Sequence, residues 1–212
     1  MLKAVITGDL IKSRKIAAKD FDVIRYRLEQ VLIYLSEKYG AEHDVYRGDS
    51  FQVIFPNMEN SIKSALLIRL SLKSVQTSGQ KFDARIGIGF GTVDTQRTKL
   101  RSSTGDAFNL SGMGLDKLKG QNIGVFTNSE EFQTRIDLLM KFVDAKIDNL
   151  TQMQINALYE YLVDDNKNHD EIAKRLNKSR VNTTKILNMA NYQLFSEFIE
   201  LFESLKSELI HE

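Results

Sequence analysis

Apolar positions recur along the first half of the chain with two different periods, and the switches between them mark out the elements. Leu2 to Thr7 is a compact apolar run closed by Gly8-Asp9, the pattern of a strand. Phe21, Ile24, Leu28, Val31, Leu35 and Tyr39 then fall on one face of a helix. His43 to Arg47 and Phe51 to Phe55 read as two strands around Gly48-Asp49, a tight-turn dipeptide. Pro56-Asn57 closes that hairpin, and Asn57 is placed to cap a helix with Ile62, Leu66, Leu70 and Val75 on one stripe. After a Ser78-Gly79 break, a strand is expected from about Phe82 to Phe90. The order βαββαβ predicts an α/β (α+β) domain of ferredoxin-like, split-βαβ type, an antiparallel sheet with helices on one face. A helix over about Asp106 to Lys119, a strand over about Ile123 to Thr127 and a helix from near Ser129 extend it.

From Leu150 onward glycine, proline and strand-like alternation vanish, and helices follow one another between polar turns at Asp164 to Asn168 and Asn177 to Ser179. The boundary is expected near Asn149, giving an α/β domain over residues 1–148 and an all-helical domain over 149–212, joined by a link that could be a continuous helix. A chain of 212 residues, 42% hydrophobic, can bury the core this requires. Its 29 basic and 28 acidic residues nearly cancel, so a nucleic-acid partner would have to be recognised by a local patch. Cysteine is absent and the three histidines, His43, His169 and His211, are scattered, which leaves oxygen as the ligand type for any metal. The first strand begins within two residues of the N-terminus, leaving no room for a cleaved signal peptide, and no apolar stretch reaches membrane-spanning length. A cytoplasmic protein without a membrane partner is expected.

In a split-βαβ sheet the first and third strands are adjacent and antiparallel, so Asp9, at the end of the first, should approach Asp49, in the turn that opens the third. Two converging carboxylates repel unless a cation holds both, and with oxygen ligands that cation would be Mg²⁺ or Mn²⁺, completed by phosphates. The alternative is that each Gly-Asp pair only shapes its loop. Gly87-Ile88-Gly89-Phe90-Gly91 lies inside a strand rather than opening a helix, so it fails as a dinucleotide fingerprint, and no phosphate-binding GxxxxGK[ST] loop exists. Ser13 and His43 have no triad partners.

Four stretches, Val5-Ile6-Thr7-Gly8-Asp9, Arg47-Gly48-Asp49-Ser50-Phe51, Arg85-Ile86-Gly87-Ile88-Gly89-Phe90-Gly91 and Gly105-Asp106-Ala107-Phe108-Asn109-Leu110-Ser111, resemble in order the signature segments of class III nucleotide cyclases. In overall layout, with Thr7-Gly8-Asp9-Leu10-Ile11-Lys12-Ser13-Arg14 at the start and a helical tail, the chain resembles the bacterial SatD family. The cyclase resemblance implies that Asp9 and Asp49 bind metal with help from the Leu10 carbonyl, and that Asn109 holds the transition-state position. It also shows departures: the base-reading lysine position is Val45, the phosphate-binding arginine position is Met113, and the second base-selecting position falls near Ser102. Loss of a cation that neutralises a transferring phosphoryl group removes orders of magnitude in rate. What the resemblance then implies is metal-dependent binding of a nucleoside triphosphate, or nucleotidyl transfer in which Lys12, Arg14, Lys117 or Lys119 supplies the missing charge.

Residues 171–187, EIAKRLNKSRVNTTKIL, have the helix, turn and helix spacing of a DNA-binding helix-turn-helix. Ile172, Ala173 and Leu176 form an inner face, Ile186 anchors the second helix, Asp170 or His169 is placed to cap the first and Ser179 the second. Lys174, Arg175, Lys178, Arg180 and Lys185 stand against Glu171 alone within the segment. Lys178, Ser179, Arg180, Asn182, Thr183 and Lys185 are the expected contacts to double-stranded DNA. The last helix, about Leu194 to Leu209, has an apolar face suited to a core or a dimer seam, and a homodimer would serve both a shared nucleotide site and paired half-sites. The expected function is a SatD-like regulator coupling nucleotide and metal to DNA. The rivals are an active nucleotidyl-transferring enzyme and a noncatalytic module whose tail recruits another protein.

Overall fold

The structure, a computed structural model, describes residues 1–77, 80–206 and 209. Strands β1 (Lys3–Leu10), β2 (Glu42–Tyr46), β3 (Ser50–Ile54), β4 (Ala84–Gly91) and β5 (Ile123–Phe126) form one sheet in the order β2-β3-β1-β4-β5. Neighbours are antiparallel except β4 and β5, which are parallel. The helices are α1 (Ala18–Tyr39), α2 (Ser61–Lys73), α3 (Asp106–Lys117), α4 (Glu130–Asp148), α5 (Gln152–Val163), α6 (His169–Arg175), α7 (Arg180–Ala190) and α8 (Tyr192–Leu205). The first four strands thus have the expected order and directions, and β5 is added at the β4 edge.

β1 runs further than its apolar residues indicate, because pairing on both sides keeps Gly8, Asp9 and Leu10 extended. Asp9 stands opposite Ser50 on β3 and opposite Arg85 on β4. Gly8 belongs in the strand for a packing reason: a Cβ there would lie 2.3 Å from the Phe51 ring that crosses it. Ala4, Ile6 and Leu10 point into the main core with Phe51, Val53, Ile86 and Ile88, under α1 and α2. Val5 and Ile54 point the other way, into a smaller core with Leu100, Ala107 and Phe108.

Helices therefore cover both faces, which corrects the one-face expectation. The cause is the glycine alternation on β4. A Cβ at Gly87 would sit 2.4 Å from the Ser111 carbonyl oxygen, and one at Gly89 would sit 2.3 Å from that of Ala107. With bare backbone at these positions α3 lies directly on the sheet. A buried Thr7–Ser111 hydroxyl hydrogen bond of 2.8 Å fixes it there, and the Gln52 amide donates to Thr7 at 3.2 Å.

Asn57 does not cap α2. Its side-chain oxygen accepts from the Glu59 N–H at 2.7 Å in a local turn, and α2 starts after Asn60, whose φ is 59°. The Ser78-Gly79 break lies outside the described residues, as do 207 and 208 in the expected last helix, where α8 ends at Leu205. No continuous helix joins the two parts: α4 stops at Asp148, and a capping box of Thr151 with Gln154 starts α5. Ile155, Leu158, Ile172, Leu187 and Phe195 belong to the same buried cluster as the sheet residues. Phe202 of α8 lies with its ring centroid 5.6 Å from Phe90 on β4 and 6.2 Å from Phe132 on α4.

One buried charge ties these layers together. Arg69 on α2 is 0% exposed, and it donates to Asp83 at 2.9 and 2.6 Å, to Asp144 at 2.5 Å and to Asp148 at 2.8 Å. Burial alone would lower its pKa, but the three carboxylates outweigh that and raise it, so the guanidinium stays charged. Asn122, just before β5, donates its N–H to Asp144 at 3.0 Å, and the Asp83 carbonyl accepts from the Ile11 N–H at 2.9 Å. The loop after β1 and the loop before β5 are thereby fixed to the same charged cluster.

Candidate functional site: a cationic cleft at the end of the first strand

Those two loops and the β2–β3 turn enclose a cleft of about 510 Å³. Its walls are the segment from Asp9 to Lys15 together with Asp49, Arg85 and Asn122. The Leu10 N–H donates to the Asp49 carbonyl at 2.9 Å, so the turn is stitched to the strand end, and both aspartates line the one cleft as the sheet topology predicts. Arg47 and Gly48, with φ of 55° and 81°, make the turn that carries Asp49. On the other side Lys12, with φ of 55°, reverses the chain into a short 3-10 turn at Ser13–Lys15.

Each carboxylate oxygen already has a donor. Arg85 is cross-strand from Asp9 and grips it with two hydrogen bonds, Nε to Oδ1 at 3.0 Å and Nη2 to Oδ2 at 2.6 Å. The Ser13 hydroxyl donates to Asp49 Oδ2 at 2.6 Å, and that of Ser50 to Oδ1 at 3.3 Å. The hydrogen bonds to Asp9 raise the Arg85 pKa, so this guanidinium is a permanent charge. Lys12, Arg14, Lys15 and Arg85 face the cleft against the two aspartates, which makes it cationic. Among the described residues no group of three or more His, Asp or Glu side chains is arranged to hold a metal ion. A divalent ion does not fit this donor set as it stands: the bidentate guanidinium holds both oxygens of Asp9, and the repulsion that would call for a metal is already offset.

No family model and no curated protein matches the chain. Solved structures do resemble it. The guanylyl cyclase Cya2 is similar at 20% identity over 59% of this chain and 74% of that one, with a TM-score of 0.43. The catalytic core of a rhodopsin-guanylyl cyclase with converted specificity, in complex with ATPalphaS, is similar at 18% identity over 58% and 76%, with a TM-score of 0.45. The GGDEF domain of DgcB from Caulobacter crescentus, in complex with c-di-GMP, is similar at 14% identity over 59% and 77%, also with a TM-score of 0.45.

Of the residues singled out from sequence, Asp9, Leu10, Lys12, Arg14 and Asp49 come together in the cleft. Asn109 does not line it; it is exposed on α3, as is Met113 at 59%. Lys117 and Lys119, at and beyond the end of α3, are exposed and absent from the cleft wall. Sequence reasoning missed Arg85, Lys15 and Asn122. Arg85 had a signal, since a charged residue at the mouth of an otherwise apolar and glycine strand invites a cross-strand partner.

In the tail, Asn168 rather than His169 or Asp170 caps α6, accepting from the Asp170 and Glu171 N–H groups at 2.9 and 3.4 Å. Ser179 caps α7 as expected. Lys178, Ser179, Arg180, Asn182 and Lys185 are exposed at or near the start of α7. Thr183 is not: it is 0% exposed, on the same inward stripe as Leu187 and Ala190, so contrary to expectation it is not placed to touch DNA. The basic count is also reduced by folding. Arg175 pairs with Glu160 and Asp164 at 2.7 Å each, Lys174 with Glu171 at 2.7 Å, and Arg180 lies 3.5 Å from Asp170.

Proposed function

We propose that this chain is a regulatory protein whose cleft binds a nucleotide through its phosphates and whose helical tail, residues 149–212, binds double-stranded DNA. The observation that carries the first half is the set of Lys12, Arg14, Lys15 and Arg85 lining one cleft with Asp9 and Asp49. Converging cations on a concave surface favour a multiply charged anion, and guanidinium groups match phosphate oxygens in pairs. The cyclase-like order of the motifs favours a nucleotide as the source of that anion. The lysine and arginine positions that would read a base and hold its phosphates for cyclisation are Val45 and Met113, which favours binding over turnover. The SatD-like layout, a sheet domain followed by a helical tail, belongs to the same reading.

The exposed row Lys178, Arg180, Asn182 and Lys185 supports the DNA half. Self-association as a homodimer is supported by the apolar groove of about 440 Å³ between α4 and α8, where Phe142 and Leu194 are 67% and 58% exposed. Lys146 and Glu197 flank that groove with opposite charge, so a two-fold contact would set each opposite its counterpart in a second copy.

A second reading, a nucleotidyl-transferring enzyme with Mg²⁺ or Mn²⁺ on Asp9, Asp49 and the Leu10 carbonyl, is favoured by the meeting of both aspartates in the cleft. It requires Arg85 to release Asp9. Among the described residues no helix is long and apolar enough to cross a membrane. Calorimetric titration of ATP and GTP tests the first reading. One site per chain is expected, weakened at least about tenfold in a Lys12→Glu/Arg14→Glu variant; a wild-type protein that binds neither would overturn it. Chromatographic detection of a cyclic or otherwise rearranged product would establish the second.

A further inference from the structure

We propose that the cleft takes its polyphosphate as the free anion, without a divalent cation, because Arg85 stands on Asp9 where such an ion would sit. The inference rests on the anion-binding reading of the cleft and specifies the ionic form of its ligand.

A metal at a pair of carboxylates does two things: it removes their mutual repulsion, and it presents positive charge to the phosphates. Both are already supplied by side chains. Arg85 neutralises Asp9 through two hydrogen bonds of 3.0 and 2.6 Å, and Ser13 and Ser50 satisfy Asp49. The Arg85 side chain remains 37% exposed while holding Asp9, so it keeps N–H groups free to face the cleft. Lys12, Arg14 and Lys15 then add charge that a magnesium-bound triphosphate, with fewer unneutralised oxygens, would use less well. The arrangement is held in place: Asp9 and Arg85 are register partners in the β1–β4 ladder, and the segment leading into Lys12 is fixed by the Ile11–Asp83 backbone hydrogen bond at 2.9 Å.

The test is calorimetric titration of the full chain with inorganic triphosphate and with ATP, at one ionic strength, in excess EDTA and again in excess Mg²⁺. Binding in EDTA that is at least as tight as in Mg²⁺ is expected. Binding that appears only with Mg²⁺ would overturn the inference and leave the anion-binding reading standing; no binding in either condition would overturn that reading itself. Asp9→Asn, checked for folding by circular dichroism, separates the roles again. Under this inference it removes a repulsive carboxylate and frees Arg85, tightening triphosphate binding in EDTA by about two- to fivefold. If Asp9 instead holds a metal, the same variant loses binding.

Discussion

Replacing Arg69 by methionine keeps most of the aliphatic stem and removes the charge on which three aspartates depend. The loss does not fall evenly. Lys73 still reaches Asp83 at 3.0 Å and Asp148 at 3.2 Å, and the Asp148 side chain is 43% exposed, so these two retain compensation. Asp144, whose side chain is 6% exposed, keeps the Asn122 N–H at 3.0 Å but loses its cation. An uncompensated charge at such depth costs about 3–5 kcal/mol. In urea that is a midpoint lowered by about 1–2.5 M, read by circular dichroism. The pH dependence follows from Asp144. Burial raises its pKa, partly countered by Arg69. A carboxyl whose folded pKa is raised gives its full contribution below the ordinary value of about 3.9 and loses it as pH rises through the folded pKa. Removing Arg69 lifts that pKa further, so the deficit of the variant is largest at neutral pH and shrinks as the pH falls and Asp144 takes up a proton. Arg69→Met/Asp144→Asn should recover part of the lost stability. A midpoint unchanged in the single variant, or a double variant no more stable than the single, would show that Arg69 is not what allows these carboxylates into the interior.

Gly89→Ala places a Cβ 2.3 Å from the Ala107 carbonyl oxygen, so α3 must retreat; a loss of about 1–3 kcal/mol or more is expected on thermal or urea unfolding. Thr183→Val removes a fully buried hydroxyl that has no hydrogen-bond partner among the described residues and should stabilise the chain by about 1 kcal/mol, seen as a raised Tm. Fluorescence anisotropy with duplex DNA should show binding that falls steeply with salt and is lost in Lys178→Glu. Salt-independent binding, or none, would favour a protein partner for the tail.

The parts of the fold that follow from local pattern were legible. Helical spacing gave α1, and the two apolar runs around Gly48-Asp49 gave the β2–β3 hairpin. The meeting of Asp9 and Asp49 followed from topology alone, because the strand order decides which loops are neighbours. What was illegible depends on side chains meeting across long separations. The grip of Arg85 on Asp9 needs the β1–β4 register, and the burial of Arg69 needs three aspartates from two distant segments. Glu160 and Asp164 folding back onto Arg175 could not be counted within a window that began at Glu171. The glycine repeat reads as part of a strand from its sequence context, but its use as a seat for α3 depends on a second helical layer that the split-βαβ pattern does not include.

The two ends of β4 have different duties. Arg85 stands near its start, in the cleft, and Phe90 near its end, against Phe202 of the last described helix. Five residues of extended chain separate them, about 16 Å. The eight residues of β4 therefore line the cleft at one end and seat the last described helix at the other, so a substitution that shifts this strand is felt at both places.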